Sequence, residues 1–124
     1  EKARKVNAGA IAAGQCTVQQ ASVAELPFEA EQFDVVTAFE TVYFWPELAQ
    51  NFREVYRVLK PGGTFFICNE ANGETAKDDK WTQIIDGMTI YTDTALKAYL
   101  EQAGFCKVQS HKNKKGWLCV TAQK

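Results

Sequence analysis

The chain has 124 residues, a formal charge of -1 and 46% apolar side chains. That length supports one hydrophobic core and is too short for two ordinary domains. The near-neutral charge gives no support to a nucleic-acid or acidic-membrane partner, and no apolar run approaches the roughly 20 residues that span a bilayer.

Residues 2–13 are predicted to form a helix, with Ala3, Val6, Ala10 and Ala13 on one face and Gly14 as its stop. Cys16–Ala21 is a short strand candidate, and Ser22–Phe28 is a loop broken by Pro27. Phe33–Phe39 is a near-continuous apolar run, as expected of a strand covered on both faces. Leu48, Phe52, Val55, Tyr56 and Leu59 then line up one helical stripe, with Pro46 at a first-turn position. Pro61 forbids continuation, Gly62-Gly63 supply open backbone, and Thr64–Cys68 follows as a buried strand. A helix delivered by so tight a turn into an apolar strand is half of a parallel-sheet unit.

Asn72, Gly73 and the charged run Lys77–Lys80 suggest a mobile surface segment. Trp81, Ile84, Ile85 and Met88 repeat at helical spacing, so a short helix is expected. Ile84 and Ile85 are assigned to the core, while Trp81 and Met88 are candidates to border a ligand cleft. Thr92 or Asp93 caps the next helix, whose stripe is Leu96, Tyr99, Leu100 and Ala103. Gly104-Phe105 fits a left-handed C-terminal cap with its hydrophobic contact. Cys106–His111 and Trp117–Ala122, joined by a Lys/Asn/Gly turn, read as an antiparallel hairpin. The order α-β-β-α-β-α-α-β-β implies a single α/β domain over 1–124. Three parallel strands form a doubly wound sheet, closed by the C-terminal hairpin.

Cys16, Cys68, Cys106 and Cys119 show no C-x-x-C spacing, and His111 has no ligand-spaced neighbour, so no metal site is expected. Cys68 and Cys119 read as small buried hydrophobes, and the cysteine usage fits a reduced, cytoplasmic setting.

Four segments together resemble the class I S-adenosylmethionine-dependent methyltransferases, especially those acting on small molecules. They are Ala21–Phe28, Gln32–Phe39, Phe52–Gly63 with the strand after it, and Leu100–Phe105. The resemblance implies a Rossmann-like fold, S-adenosylmethionine as cofactor and a small-molecule methyl acceptor. It also exposes a departure, because the family's first strand, glycine-rich loop and ribose-binding acidic residue have no counterpart here. The 124 residues are therefore expected to be the later portion of a longer enzyme. With the central strand missing, Phe33–Phe39 would leave an open edge that pairs with a second copy, giving a homodimer. The alternative is a non-catalytic, methyltransferase-like module kept for dimerisation or binding. A nucleotide-binding oxidoreductase half is a weaker rival, because such folds usually lack the terminal antiparallel hairpin.

Methyl transfer needs mainly alignment of nucleophile, methyl carbon and sulfur, which can be worth roughly 7–11 kcal/mol. The resemblance puts the site at the carboxyl ends of the parallel strands. Ala21, Ser22 and Val23 would face the adenine, Ser22 through its hydroxyl and Val23 through its backbone N–H; the plain alternative is a serine turn. Phe39 and Glu40 would approach the methionine part of the cofactor. Glu40 is read as an ammonium anchor, a general base or a local turn cap. Tyr43 is expected to be partly exposed at the methyl-transfer cavity, as a catalytic candidate that also contacts substrate, with Phe44 or Trp45 in the core. Asn69 and Glu70 either face substrate or make loop hydrogen bonds, and Trp81 and Met88 complete the substrate-side candidates.

A first prediction concerns the cofactor. Without a glycine-rich loop these 124 residues should bind S-adenosylmethionine weakly or not at all, and calorimetry that finds micromolar binding would contradict this.

Overall fold

Two strands set the frame. In the computed structural model, which describes residues 1–124, β1 (Phe33–Phe39) and β2 (Leu59–Asn69) run parallel, with Val36 opposite Phe65 and Phe39 opposite Cys68. Between them the chain passes through a short 3-10 turn, Val42–Phe44, and a helix, Leu48–Val58. This connection is the expected parallel unit. The sheet is completed by the antiparallel hairpin of Cys106–Lys112 and Leu118–Gln123. Numbering the hairpin strands β3 and β4, the order is β1-β2-β4-β3.

The helices are α1 (Lys2–Val6), α2 (Ala8–Ala12), α3 (Leu48–Val58), α4 (Ala76–Ile84) and α5 (Asp93–Gln102). Of these, α3 and α5 cover one face of the sheet. Phe52 and Val55 of α3 and Leu96 and Leu100 of α5 join Ala38, Phe65, Ile67, Val120 and Ala122 in one core. Aromatic rings meet at Phe65. Phe52 lies edge-on to it at 5.5 Å, Trp45 stacks on it at 6.2 Å, and Phe105 lies at 5.7 Å. Such pairs add about 0.5–1.5 kcal/mol each beyond area burial. Local signals hold where chemistry is local. The Thr92 hydroxyl accepts from Ala95 N–H, and Gly104 (φ 108°) ends α5 with Phe105 N–H bonded to Leu100 O.

Several expectations need correction. The helix over 2–13 is two short pieces parted at Asn7, whose side-chain amide donates to Ala3 O at 2.8 Å and competes with helical continuation. Cys16–Ala21 forms no strand, because no neighbouring strand offers it a ladder; the nearby pairing is an isolated Ser22–Glu25 bridge. The parallel set is thus one pair. The other sheet face carries no helical layer over β1, and Val35 and Phe39 are both 57% exposed. Helix α3 begins at Leu48, after Pro46 and Glu47, and β2 begins at Leu59, directly where α3 ends. The charged run 77–80 lies within α4, and Ile84 and Ile85 are solvent-facing because no element covers that helix.

Within β2 the pairing jumps from Phe33–Leu59 to Val35–Thr64, and the bulge between them depends on one small residue. A Cβ on Gly63 would meet Lys60 O at 2.8 Å, Leu59 Cδ2 at 3.0 Å and Asp34 O at 3.1 Å, whereas one on Gly62 would meet open space. Gly62 instead needs its left-handed φ of 78°. Gly63→Ala should therefore destabilise by about 1–3 kcal/mol through forced displacement of backbone. Gly62→Ala should cost about 1–2 kcal/mol by conformation alone. Urea unfolding measures both, and a double change with Lys60→Ala leaves the Gly63 cost intact, since the clash is with a carbonyl.

Candidate functional site

The carboxyl ends of β1 and β2 are tied together by side chains. Just past β1, Glu40 adopts a left-handed φ of 55° and donates its N–H to Cys68 O at 3.0 Å. Its carboxylate turns back across the strand tips. Oε1 accepts from the Tyr43 hydroxyl at 3.2 Å and from Glu70 N–H, leaving Oε2 for a ligand. Tyr43 comes from the 3-10 turn and is only 3% exposed. Its oxygen also accepts from Ala71 N–H at 2.9 Å, and its carbonyl accepts from Thr89 N–H at 2.8 Å. Burial, above all, lifts the Tyr43 phenol far above its ordinary range; Ala71 N–H opposes this and the Glu40 charge adds to it. The phenol is a neutral donor that aims a carboxylate.

Beyond this node the chain folds back on itself. The N–H groups of Asn72 and Gly73 both donate to Asp78 Oδ2, at 3.1 and 2.7 Å. The Asn72 amide donates to Gly116 O at 2.8 Å and accepts from Glu74 N–H at 2.9 Å. The β3–β4 turn is thereby drawn against the strand tips. A cleft of about 740 Å³ results, walled by Glu40, Tyr43 and Glu70 on the strand side. Trp81, Ile85 and Met88 stand on the α4 side, with Lys115 and Trp117 on the hairpin side. Trp81 is 48% exposed and Trp117 38%, so both indoles present area to a bound molecule.

Of the residues singled out from sequence, Glu40, Tyr43, Glu70, Trp81 and Met88 meet at this cleft. Tyr43 is not partly exposed as expected but buried, because its hydroxyl finds partners; of Phe44 and Trp45, it is Trp45 that packs against the core, while Phe44 is 49% exposed. Asn69 separates from Glu70, lying fully buried on the helix-covered face, with no hydrogen-bond partner for its amide. Phe39 points to the uncovered sheet face, beside Phe66 at 5.7 Å. Ala21, Ser22 and Val23 lie apart from the cleft, where the Ser22 hydroxyl accepts from Ala24 N–H at 3.2 Å. Their loop is nonetheless fixed. Arg57 donates to Phe28 O at 2.8 Å and Leu26 O at 3.1 Å, while Glu54 accepts from Leu26 N–H at 2.8 Å. The two side chains also pair at 2.6 Å, which holds the Glu54 carboxyl below its usual range. The contacts of Asn72, Glu54 and Arg57 were not legible from sequence, because each acts on backbone 28 to 44 positions away.

The methyltransferase domain family matches residues 1–67. The chain is 35% identical over 91 residues to the sterol 24-C-methyltransferase of Saccharomyces cerevisiae, covering 65% of this chain and 24% of that protein. Across eight curated relatives the chain spans only 12–35% of their length. Among solved structures, human N-acetylserotonin methyltransferase in complex with S-adenosylmethionine superimposes with a TM-score of 0.75. The match is 18% identical and covers 90% of this chain and 34% of that one. The [4+2]-cyclase SpnF superimposes with a TM-score of 0.76 at 17% identity, over 98% of this chain and 60% of that one.

Tyr43→Phe should cost about 1–3 kcal/mol in urea unfolding, since buried Ala71 N–H loses its acceptor. The raised Tyr43 pKa gives a signed pH dependence. Its contribution is whole below the unfolded value of about 10 and fades as pH climbs from there toward the folded value. The gap between parent and variant should therefore narrow above about pH 10. Comparing the two cancels Tyr91, whose phenol is also raised by burial.

Proposed function

The chain belongs to the methyltransferase domain family, in its class I S-adenosylmethionine-dependent group, and on that premise we propose that the protein transfers a methyl group from S-adenosylmethionine to a small-molecule acceptor seated in the 740 Å³ cleft. The observation that carries this reading is the Glu40–Tyr43–Glu70 node, held at the tips of two parallel strands and open to that cleft.

The cofactor supplies both the methyl group and its leaving group. The residues present fit its methionine end. Glu40 has one carboxylate oxygen committed to Tyr43 and Glu70 N–H and the other available to an ammonium, a charge-assisted contact. This arrangement favours an anchor over a general base. Tyr43 acts by orienting Glu40. Ala21, Ser22 and Val23 are assigned to the adenine side through the loop that Glu54 and Arg57 clamp. Glu70, Trp81 and Met88 are assigned to the acceptor. The indole walls suit a flat, largely apolar acceptor, so sterols head the compounds to be tested, as the yeast relative's name also suggests.

The test uses the complete protein with isotopically labelled S-adenosylmethionine and a panel of acceptors. Glu40→Ala should weaken cofactor binding about tenfold to a hundredfold, in line with a charged hydrogen bond worth about 1.5–3 kcal/mol. Trp81→Ala should raise the acceptor KM and leave cofactor affinity in place. A complete protein that binds no S-adenosylmethionine overturns the reading.

The exposure of Val35 and Phe39 on edge strand β1 favours a homodimer, and with it a second reading as a binding module. Size-exclusion chromatography with light scattering should give a dimer that Val35→Lys converts to a monomer. A monomeric parent chain with a well-protected β1 in hydrogen exchange contradicts the dimer. The glycine-rich loop separates the two functions: its presence in the complete protein supports the enzyme, its loss the module.

A further inference from the structure

The sequence reading makes Cys68 and Cys119 small buried hydrophobes. Instead they are direct cross-strand partners in the antiparallel β2–β4 pair, with sulfurs 3.2 Å apart. Both are half-buried free thiols. They sit on the sheet face opposite α3 and α5: along β2 the fully buried Phe65, Ile67 and Asn69 alternate with the half-exposed Thr64, Phe66 and Cys68. No helix layer lies between this pair and solvent.

Directly opposed residues of an antiparallel pair have Cα atoms about 4.5–5.5 Å apart, within the roughly 4.4–6.8 Å that a disulfide tolerates. Both side chains leave the sheet in the same direction. The sheet has already brought the two sulfurs together, so bond formation adds little ordering cost.

We propose that Cys68 and Cys119 form a dithiol site that closes to an intramolecular disulfide by exchange with a small-molecule disulfide, oxidised glutathione being the probe. One cysteine thiolate attacks a glutathione sulfur, breaking its S–S bond and releasing one glutathione thiolate. The second cysteine, after losing its proton, attacks the protein sulfur of the mixed disulfide and releases the other. The protein dithiol is oxidised by two electrons, and one oxidised glutathione is reduced to two glutathione thiols, which take up the two protons. Burial, foremost, pushes the Cys68 thiol up to about 11, which slows the exchange at neutral pH.

The bond would matter beyond its own position. Cys68 O accepts the Glu40 N–H, and Asn69 and Glu70 follow at once, so the link would pin β4 to the strand that carries the cleft wall. It would also close a loop containing α4, α5 and β3.

The test uses the chain with Cys16→Ser and Cys106→Ser, equilibrated in glutathione buffers of rising oxidised fraction, acid-quenched, alkylated and weighed. The expected result is simultaneous loss of both alkylation sites without retained glutathione, in a product monomeric by mass. Thermal unfolding should rise by several degrees and return on reduction with dithiothreitol. A further Cys68→Ser or Cys119→Ser change should instead trap a glutathione adduct on the remaining thiol. Should the double variant fail to fold, peptide mapping of the parent chain asks the same question by whether the 68 and 119 peptides are linked. Persistence of both free thiols in fully oxidised glutathione, links only between chains, or pairing of Cys68 with Cys16 or Cys106 overturns the proposal.

Discussion

A side chain at position 63 has nowhere to go, and much else follows from that. The carbonyls of Lys60 and Asp34 and the Leu59 side chain occupy the space a Cβ on Gly63 would need. Only so close a bulge lets β2 rejoin β1 at Thr64, opposite Val35, after Phe33 has paired with Leu59. The register of the parallel pair is thereby set, and side-chain alternation follows from register. Phe65 and Ile67 face the helices, Phe66 and Cys68 face away, and the strand ends beside Glu40. A one-residue slip would send the aromatic hub into water and separate the two strand tips.

At those tips the organising force changes from apolar burial to hydrogen bonding. Tyr43 spends its hydroxyl proton on Glu40 and its lone pair on Ala71 N–H, joining three chain segments through one oxygen. Asn72 does the same with an amide, linking the strand tip to the hairpin turn. Buried polar groups with every partner supplied specify a single geometry. The amides of Asn51 and Asn69, also fully buried, have no such partners, and are the two places in the core where this logic is incomplete.

Legibility followed the range of each interaction. The Thr92 cap, the Gly104–Phe105 termination and the hairpin were readable because their partners lie within a few residues. The parallel β1–β2 unit was readable from an apolar run, a helical stripe and a Pro-Gly-Gly stop. Cys16–Ala21 was not, because a strand exists only with a neighbour, and none is there to pair it. Ile84 and Ile85 show the matching limit for helices: periodicity identifies a face but not whether anything covers it. In the site, the acidic and aromatic residues flanking the strands were visible, whereas the contact that Asn72 makes was not, since it rests on a carbonyl 44 positions away. The burial of Tyr43 was missed because it turns on partners for its hydroxyl, Glu40 and Ala71 N–H, the second of them 28 positions away.

The strand order has one more consequence, for synthesis. β4 lies between β2 and β3, yet it is translated after both. While a ribosome is still extending the chain, β2 can pair with β1 but keeps its other side open, and β3 has no partner at all. Joining β3 to β2 must wait for β4 to insert between them, a long-range step of the kind that slows folding and leaves nascent chains dependent on protection from premature association.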